Sequence, residues 1–231
     1  MNNPFLKRRR KEAIKVLIAQ IVILVLFVGL WELLSSLEII DAFLFSKPSR
    51  IVKLLKTYIV TKTIYKHIGI SLLETLLGLV IGTLAGLLIA IILWWNKIIA
   101  KIMEPFLVVL NALPKTALAP IIIIWMGTGI KGITAVAVSI SLVLTIISAY
   151  NYFIQVEEEK IKMLQSFNAT KLQILFKLVI PANLANIISL IKINIGMSWV
   201  GVIVGEFIVS RYGIGYLIMY GSQVFNMDLV M

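Results

Sequence analysis

Residues 132–156 read GITAVAVSISLVLTIISAYNYFIQV, and residues 157–181 continue EEEKIKMLQSFNATKLQILFKLVIP. The first stretch is 25 residues without a charge. An α-helix rises about 1.5 Å per residue, so about 20 apolar residues are enough to cross a hydrocarbon core. The second stretch changes character at once: Glu157 to Lys177 holds three acids and four lysines, the composition of a segment in water. A membrane-length helix that hands over to a short aqueous segment, and then returns to apolar sequence, predicts an all-α, polytopic membrane helical bundle. The rest of the chain agrees. Of its 231 residues 60% are hydrophobic and 14% charged, against about 45–50% and about 25% in soluble domains.

Four more spans flank this pair. A basic cluster, Lys7 to Lys11 with Lys15 close behind, precedes an apolar run from Val16 to Leu37 broken only by Glu32. That run is too long for a signal-peptide core and no small-residue cleavage site follows, so it reads as a retained first helix. Ile68 to Trp95 is a second span with Glu74 as its one charge and two tryptophans at its end. Pro105 to Gly127 is the third, containing Lys115, Pro114 and Pro120, and Gly132 to Val156 the fourth. A fifth follows Pro181 as far as Val209 and contains Lys192 and Glu206. Between the first two spans, Ile51, Val52, Leu54, Leu55, Tyr58 and Ile59 can share one face of a short helix suited to the membrane interface. Tyr212 to Met227, with three glycines, predicts a bent segment. One domain is expected over residues 1–231.

Composition also removes whole classes of chemistry. There is no cysteine and one histidine, His67, which leaves no thiolate nucleophile, no Cys-ligated zinc and no basis for a metal or cofactor site. His67 shows no partner pattern and reads as interfacial. The net charge of +11 would suggest nucleic acid in a soluble protein; here it reports cytoplasmic loops and anionic lipid, with no nucleic-acid partner. With the N-terminus inside, segments 7–15, 97–101 and 160–177 are cytoplasmic and hold twelve Lys and Arg, against eight in the outer segments. The expected location is the cell membrane, multi-pass, with a cytoplasmic N-terminus.

Leu113 to Gly129 reads LPKTALAPIIIIWMGTG, KLVIPANL begins at Lys177, and MSWVGVIVGEFIVSRYGIGYLI begins at Met197. With SKPSRIV near Ser46, these motifs resemble the permease subunits of ABC importers for nitrate, sulfonates, taurine and related solutes. The resemblance covers the chain from about Phe45 onward. It implies the type I importer transmembrane fold, of which five spans are present and a sixth, following Asp228, is expected beyond Met231. It also implies a coupling loop whose family pattern is EAA, three residues, Gly, nine residues, Ile-x-Leu-Pro. On this chain Pro181 takes the proline, Ile180 the leucine, Leu178 the isoleucine and Asn168 the glycine. Lys162, Met163 and Leu164 fall on the EAA triplet, so its Glu is a Lys here and its Gly an Asn. The implied partners are an ATP-binding cassette ATPase, an extracytoplasmic solute-binding protein and a second permease copy.

Two groups of candidate residues follow. Ile161, Lys162, Leu164, Phe167, Asn168 and Pro181 mark the segment expected to dock the ATPase, with Ile161, Leu164 and Phe167 as an apolar stripe that fits a groove on that partner. Pro114, Lys115, Pro120, Lys192 and Glu206 are candidates for the solute path or its gate, because intramembrane charges are costly and prolines free backbone groups that can face a path. Gly78, Gly82 and Gly86, like Gly201 and Gly205, read as close-packing ridges. Glu157 to Glu159 suit the positive end of a helix. No G-x-x-x-x-G-K-[ST] occurs, so ATP hydrolysis is assigned to the partner rather than to this chain. The alternative function is an ion-coupled secondary transporter using Glu74 or Glu206 as its proton site.

Overall fold

The computed structural model describes the backbone of residues 4–231 and the side chains of Arg9 and residues 11–231, so Lys7, Arg8 and Arg10 of the basic cluster lie outside the described side chains. The chain forms two compact units, residues 1–64 with 220–231 and residues 65–219.

In the first unit, α1 (Pro4–Ser36) carries the first span, and none of its apolar window is buried. Two short helices follow, α2 (Ala42–Phe45) and α3 (Pro48–Val60). Glu32, near the end of α1, is tied to the next element: its carboxylate accepts from the Ser49 N–H at 3.0 Å and the Ser49 hydroxyl at 2.8 Å. These donors sit in the first turn of α3, where backbone N–H groups have no helical partner. Ser35 donates to the Ser46 carbonyl and Ser46 to Asp228, at 2.7 and 2.6 Å.

The second unit is organised by glycine. Helix α4 (Thr63–Trp95) meets α7 (Ile130–Ile154) along Gly78, Gly82 and Gly86, which face Ala137, Ser141 and Thr145 in turn. Both series advance by four residues, so the two helices run parallel. A Cβ at Gly78 would stand 2.6 Å from that of Ala137. From the opposite side Gly201 of α11 (Leu184–Val209) meets Ala137, and Gly205 meets Ile133, which makes α11 antiparallel to α7. Ala137 is thus held between a glycine of α4 and a glycine of α11. In lipid no hydrophobic force pulls helices together, and small residues permit the backbone approach that does.

The expected third span is not one helix. It consists of α5 (Lys97–Ala112) and α6 (Ala119–Met126), separated by an irregular stretch at 113–118. Leu113 precedes a proline and is extended, at φ −64° and ψ 135°, as the clash with a following proline ring demands. Pro120 stands in the first turn of α6, where a missing N–H costs nothing. With α5–α6 counted as one crossing, α1, α4, α7 and α11 supply the other four, each long and apolar enough to span.

The aqueous segment folds as α8 (Glu158–Ser166), a turn at Asn168, and α9 (Lys171–Ile174). Asn168 has φ +55°, the left-handed conformation that Asn tolerates. Thr170 and Gln173 form a reciprocal capping box at the start of α9. Pro181, a residue type that ordinarily ends a helix, does not stop this one. The backbone continues through a π-helical turn at Leu175–Val179 into α10 (Ile180–Ala182). The wider turn relieves the clash between the proline ring and the preceding carbonyl. Beyond α11 come α12 (Ile214–Gln223) and, in the first unit, α13 (Met227–Val230).

Candidate functional site

A buried polar knot joins α4, α11 and the turn before α12. Glu206 is 0% exposed. Its Oε1 accepts from the Ser71 hydroxyl at 2.6 Å and its Oε2 from the Gly215 N–H at 2.7 Å. Gly215 lies in the first turn of α12, so the carboxylate caps that helix from a neighbouring one. Ser71 in turn accepts from the Ile214 N–H at 2.9 Å. Gly213 has φ +109°, and a Cβ there would fall on the Glu206 carboxyl. The two glycines of the Gly213–Ile214–Gly215 turn are therefore what lets the carboxylate reach the backbone.

His67 completes the knot and so has the partner that its sequence surroundings do not show. It is buried, its Nδ1 accepts from the Gly213 N–H at 3.0 Å, and its ring stacks on Tyr216 at 5.9 Å and 3°. Glu74, one turn beyond Ser71 on α4, is buried beside Glu206, and its Oε2 has no hydrogen-bond partner. With both oxygens bonded by its own chain, Glu206 does not line an open path in this conformation. The sequence singled out Glu74 and Glu206 but missed Ser71, His67 and Gly213. The available signal was a Gly-x-Gly turn soon after an intramembrane acid.

The path candidates are arranged differently. Leu107 of α5 shares a cluster with Ile146 of α7, while Ala119 and Ile123 of α6 share one with Val136 and Ile140. The break at 113–118 therefore lies level with the middle of α7. Pro114 and Pro120 are exposed, and Lys115 is half-buried, its Nζ donating to the Asn111 carbonyl at 3.1 Å. Lys192 is exposed on α11 and forms no ion pair among the described residues. Its neighbour Asn194 is buried and donates to Thr83 at 2.9 Å and Thr145 at 2.7 Å, which sets Lys192 close to mid-depth as well.

The apolar stripe of α8 is divided between two faces. Ile161 and Leu164 are half-buried against the cluster containing Phe153, Ile174 and Leu175 of the same chain. Phe167 alone stands free, 76% exposed. The expectation that all three face a partner is corrected by this packing: with one helix face covered by α7 and α9, only the end of the stripe remains. Lys162 pairs with Glu158 at 3.3 Å, and Glu157 with Lys160 at 2.8 Å. The acidic run thus adds favourable charge to the first turn of α8 without a side-chain cap bond. Asn168 and Pro181 are both exposed.

Residues 78–231 match the family described as binding-protein-dependent transport system inner membrane component. The chain is 27% identical over 201 residues to a probable ABC transporter permease protein of Haemophilus influenzae, covering 87% of this chain and 81% of that one. It is 27% identical to a putative aliphatic sulfonates transport permease protein of Bacillus subtilis, over 85% of this chain and 71% of that one. With the taurine transport system permease protein of Escherichia coli the identity is 22%, over 90% and 78% of the two chains.

Proposed function

The chain belongs to the binding-protein-dependent transport system inner membrane components, and from that premise we propose that two copies of it enclose the path of a small anionic solute, with the break at 113–118 facing that path. It is the multi-pass permease subunit of an ABC importer, a system that operates with an ATPase and a solute-binding protein. Family membership replaces the ion-coupled alternative. ATP is hydrolysed on the partner, and this chain needs no cofactor of its own.

The observation that carries the proposal is the irregular backbone at mid-depth. Leu113, Pro114, Thr116 and Ala117 are exposed on a single copy. Non-helical backbone is not tolerated against lipid tails, because its polar groups would have no partner there. It must be covered by protein or lie on water. A second copy across a hydrated path supplies both, and Lys115 and Lys192 then give that path a positive field suited to a sulfonate, taurine, nitrate or related anion. Pro114 and Pro120 hold the break open. With the N-terminus cytoplasmic, residues 157–177 are cytoplasmic too, and Phe167 is the anchor for the ATPase. Ile161, Lys162, Leu164, Asn168 and Pro181 shape the segment that presents it.

Because the chain has no cysteine, Thr116→Cys is a clean reporter. In membranes it should react with a small hydrophilic maleimide and cross-link to a second copy through a short bismaleimide. A Thr116→Cys permease that neither reacts nor cross-links would place the break against lipid and end the proposal. For the coupling segment, Phe167→Ala should weaken co-purification of the ATPase by about 2 kcal/mol, roughly thirtyfold, with solute-stimulated hydrolysis falling in step.

A further inference from the structure

A cavity of about 940 Å³ opens where α4 and α7 end and the aqueous segment begins. Its polar rim is basic. Lys97 and Lys101 of α5, Lys162 of α8 and Lys171 of α9 line it, with Glu158 as the one acid. Glu158 is already neutralised by Lys162 at 3.3 Å. Lys171 donates to the Trp95 carbonyl at 3.3 Å and lies 5.8 Å over the Trp95 ring, which ties α9 to the end of α4. Lys97 and Lys101 have no ion-pair partner among the described residues. The two ammonium groups stand one turn apart on α5 without a direct salt bridge.

The floor of the same cavity is apolar, built from Leu93, Tyr150, Phe153 and Ile154. It continues outward over Ile98, which is 71% exposed. Trp94 and Trp95, at the end of α4, also line the cavity, and paired tryptophans at a helix end belong at the headgroup level of a bilayer. A soluble phosphate would use the lysines and leave the apolar floor wet. A molecule with an anionic head and hydrocarbon tails uses both.

We propose that this cavity is a binding site for an anionic phospholipid, its phosphodiester held by Lys97 and Lys101 and its acyl chains lying along Ile98 and Ile154. Basic pockets between membrane helices select anionic headgroups by the same physics. The lipid would occupy a space walled on one side by membrane helices and on the other by α8 and α9. Its occupancy therefore stiffens the segment that carries Phe167, from the side opposite to that residue. The proposal goes beyond the coupling role and stands whether or not Phe167 docks an ATPase.

The test uses the purified full-length permease, delipidated in detergent and given phosphatidylglycerol, phosphatidylcholine or free glycerol phosphate. Native mass spectrometry reads lipid retention, and thermal unfolding reads stabilisation. Wild-type protein should retain phosphatidylglycerol at least tenfold over phosphatidylcholine and be stabilised by it, with no shift from glycerol phosphate. Lys97→Gln with Lys101→Gln should weaken retention roughly thirtyfold, while Lys131→Gln, a charge outside the cavity, should not. Equal retention of the two lipids by wild-type protein, which needs no variant to fold, would overturn the proposal. So would an anionic preference that survives in the double variant. Stabilisation by glycerol phosphate alone would overturn the lipid assignment in favour of a soluble phosphate.

Discussion

Lys192 and Glu206 stand on one helix, about 21 Å apart along its axis, and the sequence presents them alike as single charges in an apolar run. The structure treats them in opposite ways. Glu206 is fully buried with both oxygens bonded, and the helix it caps belongs to the next segment of the chain. Lys192 is exposed and forms no ion pair among the described residues. A charge in a membrane helix is expensive either way. In one case the cost is met inside the molecule, so the residue holds structure. In the other no ion pair among the described residues meets it, which leaves the residue a candidate for the transport path. Intramembrane charge is thus two signals, separated by whether the same chain satisfies it.

Glu206→Ala is the hardest test of the first half. It removes the acceptor for the Ser71 hydroxyl and the Gly215 N–H together, and neither donor can reach water. Orphaned buried donors cost about 1–3 kcal/mol each, so the loss should approach 4 kcal/mol. The expected outcome is a permease that unfolds at markedly lower temperature in detergent and accumulates poorly in the membrane. An unchanged midpoint would mean that the knot does not hold α12 at all.

Gly213→Ala probes the same knot from the backbone side and should do less. Its φ of +109° is open to glycine, and a Cβ would meet the Glu206 carboxyl. The carboxyl can shift by giving up hydrogen-bond geometry instead of losing it, so a cost of about 2 kcal/mol is expected. Thermal unfolding measures it, and combining the change with Glu206→Ala should give less than the sum, because the clash partner is then gone.

Local regularity made part of this architecture legible. Gly78, Gly82 and Gly86 announce a packing face because their spacing is the helix repeat itself, and they are found against α7. Asn168, which takes the place of a glycine in the coupling-loop pattern, sits in a left-handed turn that its own side chain tolerates. Pro114 and Pro120 signalled a bend; the full break needed Leu113 to be forced extended as well. What could not be read was pairing across sequence distance. His67 meets Gly213, 146 positions away, and no periodicity carries that. Glu32 finds Ser49 only after the chain reverses through α2. The stripe of α8 was visible, but how much of it α7 and α9 would cover was not, since an apolar face looks the same whether its partner is its own chain or another.

Lys192→Ala should have the smallest effect on stability and is the most informative about the second half of the comparison. The side chain is exposed and forms no hydrogen bond or ion pair among the described residues, so its removal should leave the unfolding midpoint within about 0.5 kcal/mol of wild type. Neighbouring Asn194 keeps its bonds to Thr83 and Thr145, so the helix stays in register. Uptake is another matter. If the ammonium contributes to the field of a path for an anion, its loss should reduce transport of the anionic solute, and Lys192→Arg, which keeps the charge, should restore most of it. Measured together, the two readouts separate the possibilities. Stable protein with lower uptake and rescue by Arg places Lys192 on the path. Stable protein with normal uptake leaves it facing lipid, its long side chain reaching toward the interface. A large loss of stability would show that a partner copy satisfies this charge as fully as Ser71 and Gly215 satisfy Glu206, and the contrast between the two residues would then belong to the single copy alone.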